Sequence, residues 1–502
     1  MRLRARRRCL NAGADRLGSL DFAATIWFAE HVPSEPVVLG VDSSTQSVKV
    51  EARRLESGEV VATAVASHPP TTPPVSEQDP VAWWDALVSA VGQLGMLRRD
   101  VAAMSVAGQQ HGLVLLDEHD APVRLAKLWN DTTSAPQSER LIDRFGAADW
   151  ARRVGSIPVP SFTITKLAWV AEHEPAALAA ATRVALPHDY LTLRLTGRHV
   201  TDRGDASGTG WYDASTDRVD LGLLDAVLPG VGATAGAGAP RLPTVLGPTD
   251  SVGRLTSAAA DELGLPAEVE VAVGSGDNMG AALGLGLRPG DVAISLGTSG
   301  TAFAVSETAT HDASGAVAGF ADATGRFLPL VCTLNATKVT DTVAGWLGCD
   351  LDELARLALS ARPDPGEVSL LPYFDGERTP NLPDATGELV GLRNSTTRAQ
   401  LALAAYDGVL RGLFAGVDAL RDAGVVLDGR VFLIGGGARS AAFRYRAADL
   451  LGRDVVVPDA DHAVATGAAA QAAVVAGAAG FDEVAERWGL GGGSVVIPNS
   501  GG

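Results

Sequence analysis

The feature that most restricts the fold is a strand–turn–strand unit that occurs twice: "VVLGVDSSTQSVKV" at residues 37–50 and "DVAISLGTSGTAFAVS" at residues 291–306. In the first copy Val37, Val38, Leu39 and Val41 suit a buried strand, while Val48, Lys49 and Val50 begin an apolar/polar alternation. The turn between them is Ser43-Ser44-Thr45-Gln46-Ser47, and its counterpart is Gly297-Thr298-Ser299-Gly300. Turns of glycine and short hydroxyl side chains present N–H and O–H donors to an anion, and Asp42 is placed to hold the cation that accompanies a phosphate. A single unit reads equally well as an ordinary polar hairpin turn. Two of them, one near the head of each half, point to a duplicated architecture with a phosphate chain lying between.

A chain of 502 residues is long enough for two or three domains, each burying its own core. Strands alternate with helices, which indicates an α/β class. The formal net charge of -18 argues against a nucleic-acid-binding or anionic-membrane-binding protein and for a small substrate in a local pocket. Cys9, Cys332 and Cys349 are too few and too far apart for a disulfide framework or a zinc cluster, so they read as free thiols in a reducing cytoplasm. The most apolar stretch, Gly467 to Phe481, is interrupted by Gln471 and closed by Asp482 and Glu483, and reads as a small-residue core helix rather than a membrane span. Residues 1–35 begin "MRLRARRR" without a secretory h-region and are expected to form a disordered arm. No methionine falls between Met1 and Met96, so a non-ATG start at Val32 is the expectation.

Along the chain, Asp79 caps a helix through "PVAWWDALVSAVGQLG", and the strand in "VAAMSVAGQQHGLVLLD" is expected to be interrupted by a polar loop at Gly108 to Gly112. A loop or linker is expected over residues 228–243, where Gly230, Gly232 and Ala235 formally satisfy G-x-G-x-x-A. No strand precedes that triplet and Pro240 interrupts any helix after it, so it is set aside as a dinucleotide site. "VEVAVGSGDNMGAALGLG" reads strand, tight turn, helix, with Asp277 at the turn. Thr397 and Gln400 form a capping box ahead of a helix whose Tyr406, Val409, Leu410, Leu413, Val417 and Leu420 face a core. "RVFLIGGGARSAAF" again runs strand, glycine turn, helix, either as a place where backbone approaches a ligand or as a plain helix-capping loop. The P-loop pattern G-x-x-x-x-G-K-[ST] does not occur.

Taken together these residues resemble the FGGY family of carbohydrate kinases over roughly residues 37–490. "SFTITKLAWVAEH", residues 161–173, fits the first family pattern through Lys166 and Trp169, and "GELVGLRNSTTRAQLALAAYD", residues 387–407, fits the second. The resemblance implies two duplicated actin-like, ribonuclease-H-like ATPase domains with an interdomain cleft, residues 36–283 for sugar and phosphate and 284–490 for nucleotide, followed by a tail at 491–502. "GQQHG" (108–112), "LWND" (128–131), "GSGDNMG" (274–280) and "LLPYFDGERTP" (370–380) are most similar to the xylulose-phosphorylating members. By that resemblance the expected substrates are D-xylulose and ATP and the cofactor Mg2+; the expected place is the cytoplasm, from the free thiols, and the expected assembly is a homodimer.

A sugar hydroxyl is a poor nucleophile, so a kinase must align it, neutralise charge and accept its proton. The resemblance assigns the proton acceptor to Asp277; read locally, an aspartate there is also what a helix N-cap calls for. An aspartate of ordinary pKa is already ionised at neutral pH, so no perturbation is required. Asp42 and Asp277 are the expected metal-side carboxylates. Ser44, Thr45, Gln46, Gly297, Thr298 and Ser299 are the expected phosphate donors, and Gly436, Gly437 and Ser440 the expected nucleotide contacts. Gln110, His111 and Asn278 are expected to bond sugar hydroxyls, while Trp129 serves equally as pocket wall or packing. Phe443, where many family members carry tryptophan, and the loosely matching "TDRGDASGTGWYD" depart from the family. Rival readings are a kinase for ribulose, glycerol or another polyol, and a non-catalytic regulator of the same fold.

Overall fold

In the computed structural model the described residues are 35–229, 239–361, 368–459 and 462–499. The Val32 start, Cys9, most of the N-terminal arm and the G-x-G-x-x-A triplet lie outside them.

Val37–Ser43 is buried at every position, as a strand with cover on both faces must be. It pairs antiparallel with Ser47–Arg54 on one side and parallel with Val101–Gly108 on the other. The first sheet runs Ser251–Arg254, Glu270–Ala272, Val101–Gly108, Val37–Ser43, Ser47–Arg54, Val60–Ser67, with Ser275–Gly276 also paired to Val101–Gly108. The second sheet repeats this plan. Val292–Leu296 pairs antiparallel with Gly300–Ala304, which pairs antiparallel with Phe327–Thr333. On its other side come Val431–Ile434 and Val455–Pro458 in parallel, then Gly493–Val496 antiparallel. Over these six strands the directions match those of the first sheet, which is the duplication expected from the two hairpins; Ala318–Ala321, antiparallel to Phe327–Thr333, is an addition at the second sheet's edge.

Two expectations need correction. Residues 491–502 are not only a tail, because Val495 and Val496 pair with Val456 and Val455 and make Gly493–Val496 the edge strand of the second sheet. The strand at residue 101 ends at Gly108 rather than resuming past a loop: Val114–Leu116 turns away and pairs with Arg183–Ala185 in a separate two-stranded sheet. The loop at 109–113 therefore links two sheets.

Local signals are otherwise realised. Asp79 caps Pro80–Gly92 through Val81 N–H, and Thr397 and Gln400 form a reciprocal capping box on Arg398–Asp422, whose predicted apolar face is buried. The helix Ala463–Val475 is built almost entirely of small buried residues and crosses the helix Asp277–Gly284 at close range. A Cβ on Gly467 would lie 1.9 Å from Gly280 O, and one on Gly284 would lie 1.9 Å from Ala463 O. Only glycine lets the two backbones meet. Since Asp277 begins one of these helices, the crossing fixes where its carboxylate stands.

Candidate active site

In sheets with parallel strands, ligands collect at the carboxyl ends, where loops diverge. Asp42 lies at the end of Val37–Ser43, Gln110 and His111 just beyond Val101–Gly108, Asp277 just beyond Ser275–Gly276, the Gly297–Ser299 turn beyond Val292–Leu296, and Gly435 and Gly436 beyond Val431–Ile434. Two cavities open among these ends. One, of about 210 Å³, is lined by Gln110, His111, Trp129, Phe162, Ser299, Phe320 and Arg378 among others. The second, of about 450 Å³, is lined by Asp42, Ser44, Lys49, Gly435, Gly436, Arg439 and Arg444 among others. Asp277 and Asn278 line both. The two cavities therefore meet at Asp277 and Asn278.

Asp277 is the first residue of its helix, not the cap; Gly276 takes that place. Its Oδ1 accepts from the Asn278 backbone N–H at 2.8 Å and side-chain Nδ2 at 3.0 Å. Burial, together with the negative charges of Asp42 and Asp205, raises its carboxyl to about 7. The expected ordinary pKa is therefore corrected: a buried acidic neighbourhood favours the neutral form. Asp42 is shifted upward as well, by burial, with the Lys49 ammonium 3.0 Å away opposing the shift.

Gln110 accepts from Asn278 Nδ2 at 2.7 Å, while its own Nε2 is buried without a partner among the described residues. A buried amide N–H without a partner is costly unless a ligand supplies the acceptor. Asn278 was expected to bond the sugar, yet its amide N–H groups are spent on Gln110 and Asp277. His111 has a positive φ of 64°, a conformation a non-glycine residue adopts only when its surroundings enforce it. Asp205 Oδ1 enforces it, accepting from His111 N–H at 2.9 Å with the ring Nδ1 3.2 Å away. That ring contact has the distance but not the alignment of a hydrogen bond. Phe162 and Phe320 flank the ring at 5.3 and 5.2 Å, and burial keeps the imidazole neutral by lowering its pKa well below the usual value.

Trp129 is 42% exposed and lines the first cavity, so it is a wall rather than core. Its Nε1 donates to Thr45 Oγ1 at 2.9 Å, and Thr45 donates in turn to Gln109 Oε1 at 3.1 Å. The Thr45 hydroxyl thereby braces the first turn; Ser44 lines the second cavity, while Thr45 and Gln46 line neither of the two. In the second turn Ser299 lines the first cavity, whereas Gly297 and Thr298 line neither. Gly436 has open space where a Cβ would stand, as a ligand-facing residue needs, but Gly437 packs against Leu296 and Thr337. Ser440 caps the helix Ala441–Leu451 positionally and lines neither cavity.

Sequence reasoning missed Lys49, Asp205, Arg378, Arg439 and Arg444. It also left Lys166 without a role: fully buried, its ammonium donates to the carbonyls of Pro160, at 3.0 Å, and Ser161, which pins the loop that carries Phe162 into the first cavity. Of these six, only Arg444 fell outside the stretches already singled out, but nothing local marked the other five as cavity or support residues.

The two sheets, the paired cavities and the carboxylate between them define a two-lobed kinase-type site. Residues 37–284 match the FGGY family of carbohydrate kinases, N-terminal domain, and residues 292–476 match its C-terminal domain. The chain belongs to that family and is a carbohydrate kinase. It is 49% identical over 465 residues to a xylulose kinase of Streptomyces coelicolor, covering 92% of each chain. With a xylulose kinase of Escherichia coli it shares 37% identity over 428 residues, 83% of this chain and 85% of the other. Among solved structures, a xylulose kinase from Bifidobacterium adolescentis superposes with a TM-score of 0.80 at 44% identity, covering 88% of this chain and 93% of that one.

Proposed function

We propose that the chain transfers the γ-phosphoryl group of ATP to the 5-hydroxyl of D-xylulose, with Asp277 as proton acceptor. The observation that carries this reading is that Asp277 and Asn278 line both cavities, so a sugar in one and a triphosphate in the other meet at a carboxylate. The similarity to xylulose kinases supports the choice of sugar.

On the sugar side, Gln110 Nε2 offers its unpaired N–H to a hydroxyl, and the neutral His111 ring offers one donor or one acceptor depending on tautomer. Asp277 takes the hydroxyl proton as the oxygen bonds to phosphorus. On the nucleotide side, Ser44, Gly435, Gly436, Arg439 and Arg444 form the walls along which a nucleotide lies.

Asp42 and Asp277 suit Mg2+, an ion that keeps several waters and takes one or two carboxylates plus phosphate oxygens. The fit rests on Asp42 Oδ1, which is buried without a hydrogen-bond partner among the described residues. When bound, the ion supplies charge neutralisation to the phosphates.

The boundary between a first half ending at 283 and a second beginning at 284 belongs to the same proposal, supported by family matches that end at 284 and resume at 292. A reducing cytoplasm suits the free thiols of Cys332 and Cys349, and among the described residues no helix is long and apolar enough to cross a membrane.

The test is ADP release with D-xylulose, D-ribulose, L-xylulose and glycerol in turn. The highest kcat/KM is expected with D-xylulose; a higher value with ribulose or glycerol overturns the substrate assignment.

A further inference from the structure

The first cavity holds a group that a neutral sugar does not call for. Arg378 is half-buried and lines it together with Asp277, Ser299 and His111. Among the described residues no carboxylate lies within ion-pair distance of its guanidinium, and the guanidinium makes no hydrogen bond; only the Arg378 backbone N–H is engaged, donating to Glu377 Oε1 at 2.7 Å. Other arginines of the C-terminal half are paired: Arg326 with Glu307 at 2.9 Å and Arg430 with Asp291 at 2.6 Å. A partly desolvated cation without a counter-charge is costly, and such a group persists where a ligand brings the charge.

The segment that carries Arg378 is firmly moored. Glu377 is 3% exposed, and its Oε1 also accepts from Leu334 N–H at 2.6 Å. Its Oε2 accepts from Asn335 Nδ2 at 3.0 Å, and the same amide donates to Gly376 O at 2.7 Å. The loop before Arg378 is thus tied to the loop that follows the strand Phe327–Thr333. Gln110, His111, Trp129 and Asp277 reach the cavity from residues matched to the N-terminal domain, whereas Arg378 reaches it from residues matched to the C-terminal domain. The positive charge is also felt at His111, where it adds to burial in disfavouring the imidazolium.

We propose that Arg378 is a catalytic residue of phosphoryl transfer, its guanidinium binding the non-bridging oxygens of the phosphoryl group as it passes to the sugar and holding the resulting phosphate ester. The inference rests on the proposed kinase reaction and deepens it. In that reaction the sugar oxygen bonds to the γ-phosphorus while the bond from phosphorus to the β–γ bridging oxygen breaks. ADP leaves with that electron pair, and the hydroxyl proton passes to the Asp277 carboxylate. The sugar enters neutral and leaves as a phosphate ester, so an anion appears on the sugar side only during and after transfer. A planar guanidinium matches phosphate oxygens with two parallel N–H bonds and gains strength as charge spreads over them.

The experiment compares wild type with Arg378→Gln and Arg378→Lys, using the sugar that wild type phosphorylates best. Steady-state kcat is measured alongside calorimetric affinities for the free sugar and for its phosphate ester. The Glu377 mooring uses only the Arg378 backbone, so both variants are expected to fold, which the melting temperature checks. For Arg378→Gln, kcat is expected to fall about a hundredfold or more. Affinity for the phosphate ester is expected to fall about tenfold, with affinity for the free sugar unchanged within about twofold. Arg378→Lys should regain part of the ester affinity and little of kcat, since it restores the charge without the fork. Unchanged kcat in a folded variant overturns the proposal, as does an equal loss of affinity for free sugar and ester, which makes Arg378 a sugar-hydroxyl contact. Wild type that shows no sugar-stimulated ADP release overturns the kinase reading and this inference together, whereas a normal wild type with normal variants overturns this inference alone.

Discussion

Gln110 and Asp277 share one donor, the side-chain amide of Asn278, at 2.7 and 3.0 Å. The bridge joins a loop from the end of one strand to the head of a helix, so the group that would grip the sugar and the group that would take its proton are set by the same side chain. Asp277→Asn leaves the helix cap at Gly276 untouched and is expected to fold. Turnover is expected to fall at least about a hundredfold, the scale for removing a general base. Single-turnover kinetics on a variant with unchanged circular dichroism checks this, and near-normal turnover would leave Asp277 as a helix residue only.

The pH dependence has a definite sign. Burial, with Asp42 and Asp205, raises Asp277 to about 7, and the acceptor is the carboxylate form. In the free enzyme kcat/KM for the sugar should therefore climb about tenfold per unit as pH rises toward 7 and level off above it. A flat profile through that window counts against the assignment. The same shift makes ionised Asp277 destabilising: the penalty is absent below the usual carboxylate range, grows as pH rises toward the folded value, and is complete above it. Asp277→Asn should accordingly raise the melting temperature more at about pH 8 than at about pH 5.

Gly208 is where His111 can be moved without touching its own sequence position. A Cβ at Gly208 would lie 1.8 Å from His111 Cε1 and 1.9 Å from Nδ1, and the ring's open side is the cavity. Gly208→Ala is expected to push the ring into the sugar space and raise KM for the sugar about tenfold, the value of one or two lost hydrogen bonds. Melting temperature should fall as well, because the ring is buried and flanked by Phe162 and Phe320, so KM is compared on the folded variant. Unaltered KM in this variant would remove His111 from the sugar site.

The glycine crossing supports a paired stability test. Gly467→Ala sets a methyl against the Gly280 carbonyl, backbone against backbone, and is expected to cost at least about 1–3 kcal/mol. Gly412 sits within the helix Arg398–Asp422 with nothing near its Cβ position, so Gly412→Ala should stabilise by about 0.5–1 kcal/mol through helix propensity. Denaturant titration of both variants checks the contrast; equal effects would mean that the crossing has room to spare.

What was legible in the sequence is what neighbouring residues decide among themselves. Val37, Val38, Leu39 and Val41 make a strand, Thr397 with Gln400 makes a cap, and Asp277 begins a helix, because period, turn chemistry and capping act over a few positions. The two hairpins likewise announced two sheets of one plan, and the motif residues Gln110, His111, Trp129 and Asp277 do gather at one cavity. Other facts depend on contacts that no local pattern encodes. His111 is held by Asp205, 94 residues away, and Gln110 by Asn278, 168 residues away. Val495 and Val496 became a strand only because Val455 and Val456 offered an edge. The Thr45 hydroxyl became a bridge once Trp129 and Gln109 were beside it, and Asp277 moved to about 7 once burial and two other carboxylates surrounded it. Hydrogen-bond partners, desolvation and cavity walls are properties of the space around a side chain, and that space is filled by residues distant along the chain, so only the tertiary structure could assign them.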